Sequence, residues 1–465
     1  MSSSTSVARP LRGATDRARA VSRRLDPLRT DRAAHVTLGA MTVVAIGVYV
    51  WLGSSQWFIR DDWAFALTRN LIRDNAGWRP WLFEAQDGHW MTAPILLHRA
   101  THLVFGLGSY WPFLAQAMLM HLGTVFLIHR LCHRVGVTAW TSTVVCSLLL
   151  LFGNGWENIL FAVQTTYNLS LLAFLAQVLL VDHDGPVDRR DWFGVAIGTI
   201  GLMSSAFGPF FAAGVFLLLV LRRRWTAAAV AVGPQAFFYS WWLFTYGNDP
   251  AGASGDPTIT GALQFARLTF TATLTSLTGQ VIFAGAALLG IVAMTTWRRL
   301  SYWRRTLLFT LAFMPVPLFL TIGWQRAVFG LDSAASSRYQ YLMAMLVATP
   351  FALAVDQLRR FSPGALVVGR LLLVVSILTN VRLFEQSSDM WAGRSSNTRT
   401  TYELIAGSGL MMQVDSNLRP AEFDPDVTVG RIPIMVAEGV ITPRTPTTPE
   451  EIALVRSVLG LPPAP

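Results

Sequence analysis

What most constrains this chain is a succession of apolar runs separated by short arginine clusters. A helix needs roughly 20 such residues to cross a hydrocarbon core of about 30 Å. Runs near 35–54, 110–130, 138–154, 164–181, 225–245, 280–297, 306–323, 339–357 and 364–382 meet that length and predict spans. The run 192–221 reads as a pair. Arg189 and Arg190 precede it and Arg222, Arg223 and Arg224 follow it, so both ends fall on one side and the chain turns back at "SSAFGPF". Backbone that leaves the helix at such a depth must be shielded by protein or by a wet cavity. The expectation is an all-α polytopic membrane protein with about eleven transmembrane helices.

The arginines also orient the chain. "HRLCHR", "DRRD", "LRRRW", "WRRLSYWRR" and "DQLRR" fall on alternate connectors, the side that short arginine-rich loops mark as cytoplasmic, together with the N-terminus. The chain has no lysine, and its net charge of +10 is spread over these connectors rather than gathered into a patch with interleaved aromatics, which argues against nucleic acid as a partner. With 52% hydrophobic and 14% charged residues, the composition is too apolar for an ordinary soluble domain.

Residues 1–34, rich in Ser and Arg and without an apolar stretch, read as a disordered cytoplasmic tail rather than a signal peptide. Residues 35–384 form the membrane domain, and 385–465 read as a small extracytoplasmic appendage with one capped helix at "PEEIALVRSVLG". Three long segments then lie on the extracytoplasmic face: 55–109, 246–279 and 324–338. The first contains "LLHRATHLVFGLG" and the second "GALQFARLTFTATLTSL", both patterned as helices lying on the membrane surface. Cys132 sits in a basic connector beside His129 and His133, and Cys146 in an apolar run, so neither a disulfide nor a metal site is expected of them.

Charged residues near the lipid–water boundary are the candidates for chemistry. Asp61 and Asp62 follow the first span in "WFIRDDWAFALTRN". The same loop holds Arg79, Glu84, Asp87, His89, His98 and Arg99 among Trp57, Trp63, Trp78, Trp81 and Trp90, a mixture suited either to a loop lying on headgroups or to an amphipathic cleft for a substrate that is part lipid, part sugar. Arg326 in "GWQRAVFG" and Arg338 in "SSRYQY" run against the arginine trend. Guanidinium groups at headgroup level bind phosphate bidentately, or else snorkel to lipid, and Tyr339 stands beside Arg338. Glu157, Asn158 and Gln164 in "GNGWENILFAVQTTYN" line the cleft or cap helix ends; His121, inside a span, reads as a packing residue. No HExxH, Walker, GxSxG or paired-cysteine motif occurs.

Taken together, "RDDW" beyond the first span, "DGHW" in the long first loop, "ENILFAVQ", "SSRYQY" opening a late span and the outer C-terminal tail resemble the GT-C superfamily, and most of all its actinobacterial members. These are multi-spanning glycosyltransferases of the plasma membrane that use polyprenyl-phosphate sugars. The resemblance implies a GT-C-like bundle and inverting transfer to an envelope glycan, lipid or protein acceptor. Asp61 or Asp62 would act as general base and Arg338, with Arg326, Arg79 and Tyr339, would hold the donor phosphate. Asp87, His89, Trp90, His98, Arg99, Glu157 and Gln164 would line the substrate cleft. No cofactor is required by this reading, although the adjacent carboxylates leave room for a shared divalent cation, Mg or Mn, as some relatives use. The chain departs from larger relatives in lacking a substantial outer carbohydrate-binding domain. A transporter or lipid flippase, or a non-catalytic scaffold for envelope assembly, are the competing functions; a transporter would place ionisable groups and broken helices near the midplane.

Overall fold

The computed structural model describes residues 30–247, 257–278, 297–360 and 362–463, together with Gly290. The regular elements among the described residues are all helices, joined by turns and loops, with no strand among them. Numbered along the chain, the helices are α1 (Asp31–Gly53), α2 (Arg69–Ala76), α3 (Trp78–Phe83), α4 (Thr92–Phe105), α5 (Trp111–Val135), α6 (Ala139–Leu150), α7 (Glu157–Leu160), α8 (Thr165–Val181), α9 (Arg189–Leu202), α10 (Gly208–Leu221), α11 (Trp225–Tyr246), α12 (Ile259–Thr278), α13 (Tyr302–Phe313), α14 (Pro315–Arg326), α15 (Ser337–Gln357), α16 (Pro363–Gly407), α17 (Ile432–Ala437) and α18 (Pro449–Val458). Among the described residues, six helical stretches are long and apolar enough to cross a membrane: α1, α5, Ala162–Val181, Tyr302–Phe329, Ser337–Arg360 and α16. The run 280–297, read above as a span, lies almost wholly outside the described residues.

Local chemistry sets the ends of these elements. Thr30 caps α1 by accepting the Ala33 amide at 3.1 Å, and α5 stops where Gly136 turns into the left-handed region at φ +89°. The expected tail boundary at residue 34 is therefore too late, since Asp31–Ala34 already belong to α1. Asp188 and Asp191 form a reciprocal capping box at the start of α9. The chain turns between α9 and α10 at residues 203–207, within the "SSAFGPF" region, and each of these helices has only 14 residues, or about 21 Å of rise. Their tip meets the first loop, where the Ala93 amide donates to the Met203 carbonyl at 3.0 Å.

The core is built around α15. Of its most apolar window 89% is buried inside the protein, against 22% for α1 and 17% for α16, so α15 is the central helix and the other two face outward. Helices α5, α6, α12, α13 and α16 pack around it. The turn at residues 153–155 presses on α16 so closely that a Cβ on Gly153 would run into the Asn380 carbonyl oxygen.

One end of this bundle carries the first loop. Helix α12 crosses the same end. Its Gly261 lies beside Ala327 after α14, Thr269 donates to the Ala334 carbonyl at 2.8 Å, and Ser276 bonds Gln340 of α15 at 2.7 Å. It also accepts from Asn380 of α16 at 3.1 Å through the Ser276 carbonyl.

The C-terminal region is continuous with the helix bundle. Helix α16 is 45 residues long and passes unbroken through the boundary placed at 384/385. The chain beyond it folds back onto the same core, with Val427, Val429, Ile432, Met435 and Val455 buried in one cluster with Tyr110 and Phe113. Asp424 accepts the Arg60 amide at 2.5 Å and the Tyr402 hydroxyl at 2.7 Å. Thr68 bonds Asp426 at 2.5 Å and receives Arg431 at 2.7 Å. The tail thus clamps the first loop at the point where the acidic pair occurs.

Candidate functional site

The acidic pair divides at once into two different roles. Asp62 points inward and is only 2% exposed. Its Oδ2 accepts the Tyr110 hydroxyl at 2.8 Å and the Ile59 amide at 3.3 Å, and its Oδ1 accepts the Val163 amide at 2.9 Å. Tyr110 in turn accepts the Ala162 amide at 2.8 Å. Asp62 therefore ties the end of α1 to the start of α5 and to the loop before α8. Burial pushes its carboxyl up to about 8, against the lowering effect of those donors, with Asp61 adding to the rise.

Asp61 faces the other way, into a cleft of about 320 Å³ lined by Arg60, Asp61, Gln86, Asp87, His89, Gln164, Tyr167, Arg326 and Arg338, with Ala64, Phe65, Met91, Val163 and Thr166 as the remaining wall. That volume is at the lower end of the range for small-molecule sites. Burial lifts the Asp61 carboxyl above its ordinary value, the cations of Arg60 and Arg338 pull it back, and Asp87 and Asp426 raise it again. Arg60 itself is held at φ +56°, an uncommon conformation for a side chain of this kind, by the bond to Asp424 and by its position 5.9 Å from the Trp391 ring.

Each wall of the cleft has a local cause. Asp87 and Gly88 both have positive φ, +51° and +75°, as the central residues of a type I′ turn require, and Gln86 and His89 pair across it with amide bonds of 3.0 and 2.9 Å. The turn is held from below by Arg69, which donates to the carbonyls of Pro80, Trp81 and Glu84 and to the Gln86 side chain at 2.9–3.4 Å. The chain between Asp62 and Arg69 is wound as a π-helical turn over Ala64–Thr68, a widening often found beside functional sites.

On the opposite wall, Arg338 sits in the first turn of α15. Glu157 accepts the Arg338 amide at 3.0 Å, while its own amide donates to Ser337 Oγ at 3.0 Å. A buried carboxylate at that helix N-terminus is favoured by the helix dipole. Two buried polar atoms of the lining have no hydrogen-bond partner: Arg338 Nε and Gln164 Oε1. Unpaired buried groups are costly, so these two lining side chains are incompletely satisfied by the described residues.

The structure therefore gathers Asp61, Asp87, His89, Gln164, Arg326 and Arg338 around one cleft and leaves other candidates elsewhere. Arg79 is exposed beside Trp78, its guanidinium 5.5 Å from that ring, and is not a cleft residue. Trp90 is buried face to face with Trp242, ring centroids 5.5 Å apart. Tyr339 packs on Phe265 at 5.6 Å. His98 lies 4.5 Å from the Phe113 ring, where burial first and then His102 depress it to about 3, so it stays a neutral packing group. Arg99 bonds Asn70 and His102 on a separate groove. Glu157 acts as the cap of α15. Nor does the acidic pair fit a shared cation. Asp62 is withdrawn from the cleft and its oxygens already accept three protein hydrogen bonds, so of the adjacent pair only Asp61 reaches the lining.

Comparison with known proteins finds no matching family model, no matching curated protein and no matching solved structure.

Sequence reading missed Gln86, Thr166 and Tyr167 in the lining, and it missed Arg69, Tyr110 and Asp424 as the residues that hold the lining in place. Tyr167 stands in the quoted "QTTYN", three residues after Gln164, and that spacing on a helix was the available signal. Nothing in the sequence connects Asp424 with Arg60.

The division of roles predicts a specific stability effect. Asp62→Ala leaves the Tyr110 hydroxyl and the Val163 amide without their acceptor, at a cost of about 3 kcal/mol, read as a lower thermal unfolding midpoint in detergent. A pH effect follows from the raised carboxyl. Between the ordinary carboxyl range and about 8, the folded chain keeps a proton that the unfolded chain has released. Stability from this group is thus present in acid and is lost as pH rises through that window. Asp62→Asn should flatten the fall between pH 5 and pH 8.

Proposed function

We propose that the protein is a membrane glycosyltransferase that moves a sugar from a polyprenyl-phosphate donor to a cell-envelope glycan, lipid or protein acceptor, with inversion at the anomeric carbon. The observation that carries this reading is the meeting of one desolvated carboxylate, Asp61, with two arginines from late helices, Arg326 and Arg338, in a polar cleft at one end of an apolar bundle. That pairing suits a reaction in which a hydroxyl must lose a proton while a lipid phosphate gains negative charge.

In this reaction the acceptor oxygen forms a bond to the anomeric carbon as the bond from that carbon to the phosphate oxygen breaks. Asp61 takes the hydroxyl proton as general base, and its raised basicity helps it do so. The departing polyprenyl phosphate gains one negative charge, which Arg338 and Arg326 stabilise. Gln164, Asp87 and His89 supply the hydrogen bonds that hold sugar hydroxyls, and Phe65, Met91 and Val163 supply the apolar wall against a pyranose or furanose face.

The topology that accompanies this function is a bundle of about eleven spans in a bacterial plasma membrane, with the N-terminus cytoplasmic and the cleft and C-terminus extracytoplasmic. The arginine-bearing connectors support it. A charged cleft at one end of the bundle suits a transferase better than a transporter, whose substrate site belongs near the midplane. Cysteines introduced at Ser55 and Ala335, both exposed on the cleft end, should react with a membrane-impermeant maleimide in intact cells. Labelling only after the inner face is opened would reverse the orientation and place the cleft in the cytoplasm.

A further inference from the structure

The end of the bundle away from the cleft carries a cluster that the reaction above does not use. His35 stands in the second turn of α1, and His129 and His133 stand one turn apart near the end of α5. Their ring nitrogens converge. His129 Nε2 and His133 Nε2 are 3.1 Å apart, His133 Nε2 and His35 Nε2 are 3.5 Å apart, and all three candidate ligand atoms lie within 4.8 Å of one another. We propose that His35, His129 and His133 bind a divalent transition-metal ion, with Zn2+ the best match, joining α1 to α5 some 28 Å along α1 from the cleft end, or about 19 residues of helix rise.

The spacing fits that ion. Zn–N bonds are about 2.0–2.1 Å, so the edges of a tetrahedron of nitrogen ligands are about 3.3–3.4 Å. The two Nε2–Nε2 separations, 3.1 and 3.5 Å, bracket that edge. The tautomer fits as well. His129 Nδ1 is 2.8 Å from the Ser142 hydroxyl, on the buried face of α6. A proton on Nδ1 donating to Ser142 Oγ leaves the Nε2 lone pair directed at the other two rings, which is the outer-shell arrangement that metal-bound histidines use. Three neutral imidazoles whose lone pairs meet repel one another unless a cation sits between them, and one N–H···N bond satisfies only one pair. His129 is buried while His35 and His133 are exposed, so the fourth position opens to solvent and takes water.

The chemistry of the donors narrows the ion. Three imidazoles with no thiolate or carboxylate suit Zn2+, and next to it Ni2+ or Cu2+, over Mg2+ or Ca2+. Cys132, between the two α5 histidines, is fully buried and is not among the converging groups. The second grouping of potential ligands, His183, Asp188 and Asp191, differs in kind. Asp191 is engaged by Arg224 at 3.5 Å and by His183 at 3.0 Å, and both carboxylates serve the α9 capping box, so it is a hydrogen-bonded ion network. The motif "HRLCHR" gave no such indication alone, because the third ligand comes from 98 residues before His133.

The test uses the full-length protein purified in detergent and stripped with a chelator, then titrated with Co2+ and afterwards with Zn2+. One Co2+ per chain with the intense visible bands of a four-coordinate ion, displaced by an equivalent of Zn2+, is the expected result. H35Q and H133Q, both at exposed positions, should each weaken Zn2+ binding at least tenfold. S142A should weaken it by roughly tenfold through the tautomer, and H183A should leave it unchanged. Weak six-coordinate Co2+ spectra, or H35Q and H133Q proteins that bind Zn2+ with the wild-type stoichiometry and affinity, would overturn the assignment.

Discussion

Asp61→Asn is expected to lower glycosyl transfer by about 100-fold to 10,000-fold, the usual contribution of a positioned general base, while leaving the protein folded and membrane-inserted. At about 1.4 kcal/mol per factor of ten, this corresponds to about 3–5 kcal/mol of lost transition-state stabilisation. Asn keeps the size of the side chain but has no basic oxygen to take the acceptor proton. Stability should change little, because Asp61 has charge partners rather than structural hydrogen bonds: Arg60 and Arg338 act on it through space. Removing its charge relieves its burial cost while leaving those arginines less balanced. The neighbour behaves in the opposite way. Substitution of Asp62 removes the acceptor for Tyr110, Ile59 and Val163, so its effect appears first in thermal stability. Parallel activity and unfolding measurements on the two single variants separate a chemical carboxylate from a structural one.

Arg338→Ala carries the second large expectation, a loss of about 100-fold to 1,000-fold in kcat, typical of removing one preorganised donor to a developing anion. The physical reason is that negative charge grows on the lipid phosphate as its bond to the sugar breaks, so the guanidinium stabilises the transition state more than the bound donor. KM should therefore change less than kcat. Arg338→Lys keeps the charge but loses the planar fork, and should recover only part of the rate. Arg326→Ala should be milder, since Arg338 and not Arg326 is among the cations that act on Asp61 across the cleft. Fold integrity in the Arg338 variants is readable independently, because the Glu157 cap bonds the backbone amide of residue 338 and not its side chain.

Much of this arrangement was legible in the amino-acid order. Apolar length and arginine punctuation gave the helices, the turn near "SSAFGPF" and the segments to search, because span length is dictated by the bilayer and not by tertiary contacts. "RDDW", "DGHW" and the late arginines supplied residues that the fold brings to one cleft.

What the sequence withheld were the long-range bonds. The choice between Asp61 and Asp62 rests on Tyr110, 48 residues away, and on the loop before α8, 101 residues away. Arg60 owes its conformation to Asp424, 364 residues further on. His98, Arg99 and Arg79 belong to the same loop as the cleft residues but point elsewhere, since the helical winding of α3 and α4 decides direction and composition does not. The C-terminal region read as an appendage because its polar, Pro-rich segments hide a few apolar residues, Val427, Val429, Ile432 and Met435, that pack into the main core.

The most direct test of the central claim is transfer itself. Purified protein in lipid would be given radiolabelled polyprenyl-phosphate hexoses and pentoses together with an envelope extract as acceptor, and label would be followed into the extract. The account predicts that one of these donors labels the extract with the wild-type protein and that the Asp61→Asn protein, equally well folded, transfers at most about one hundredth as fast. Equal transfer by the Asp61→Asn protein, or no transfer from any such donor by the wild type, would contradict it.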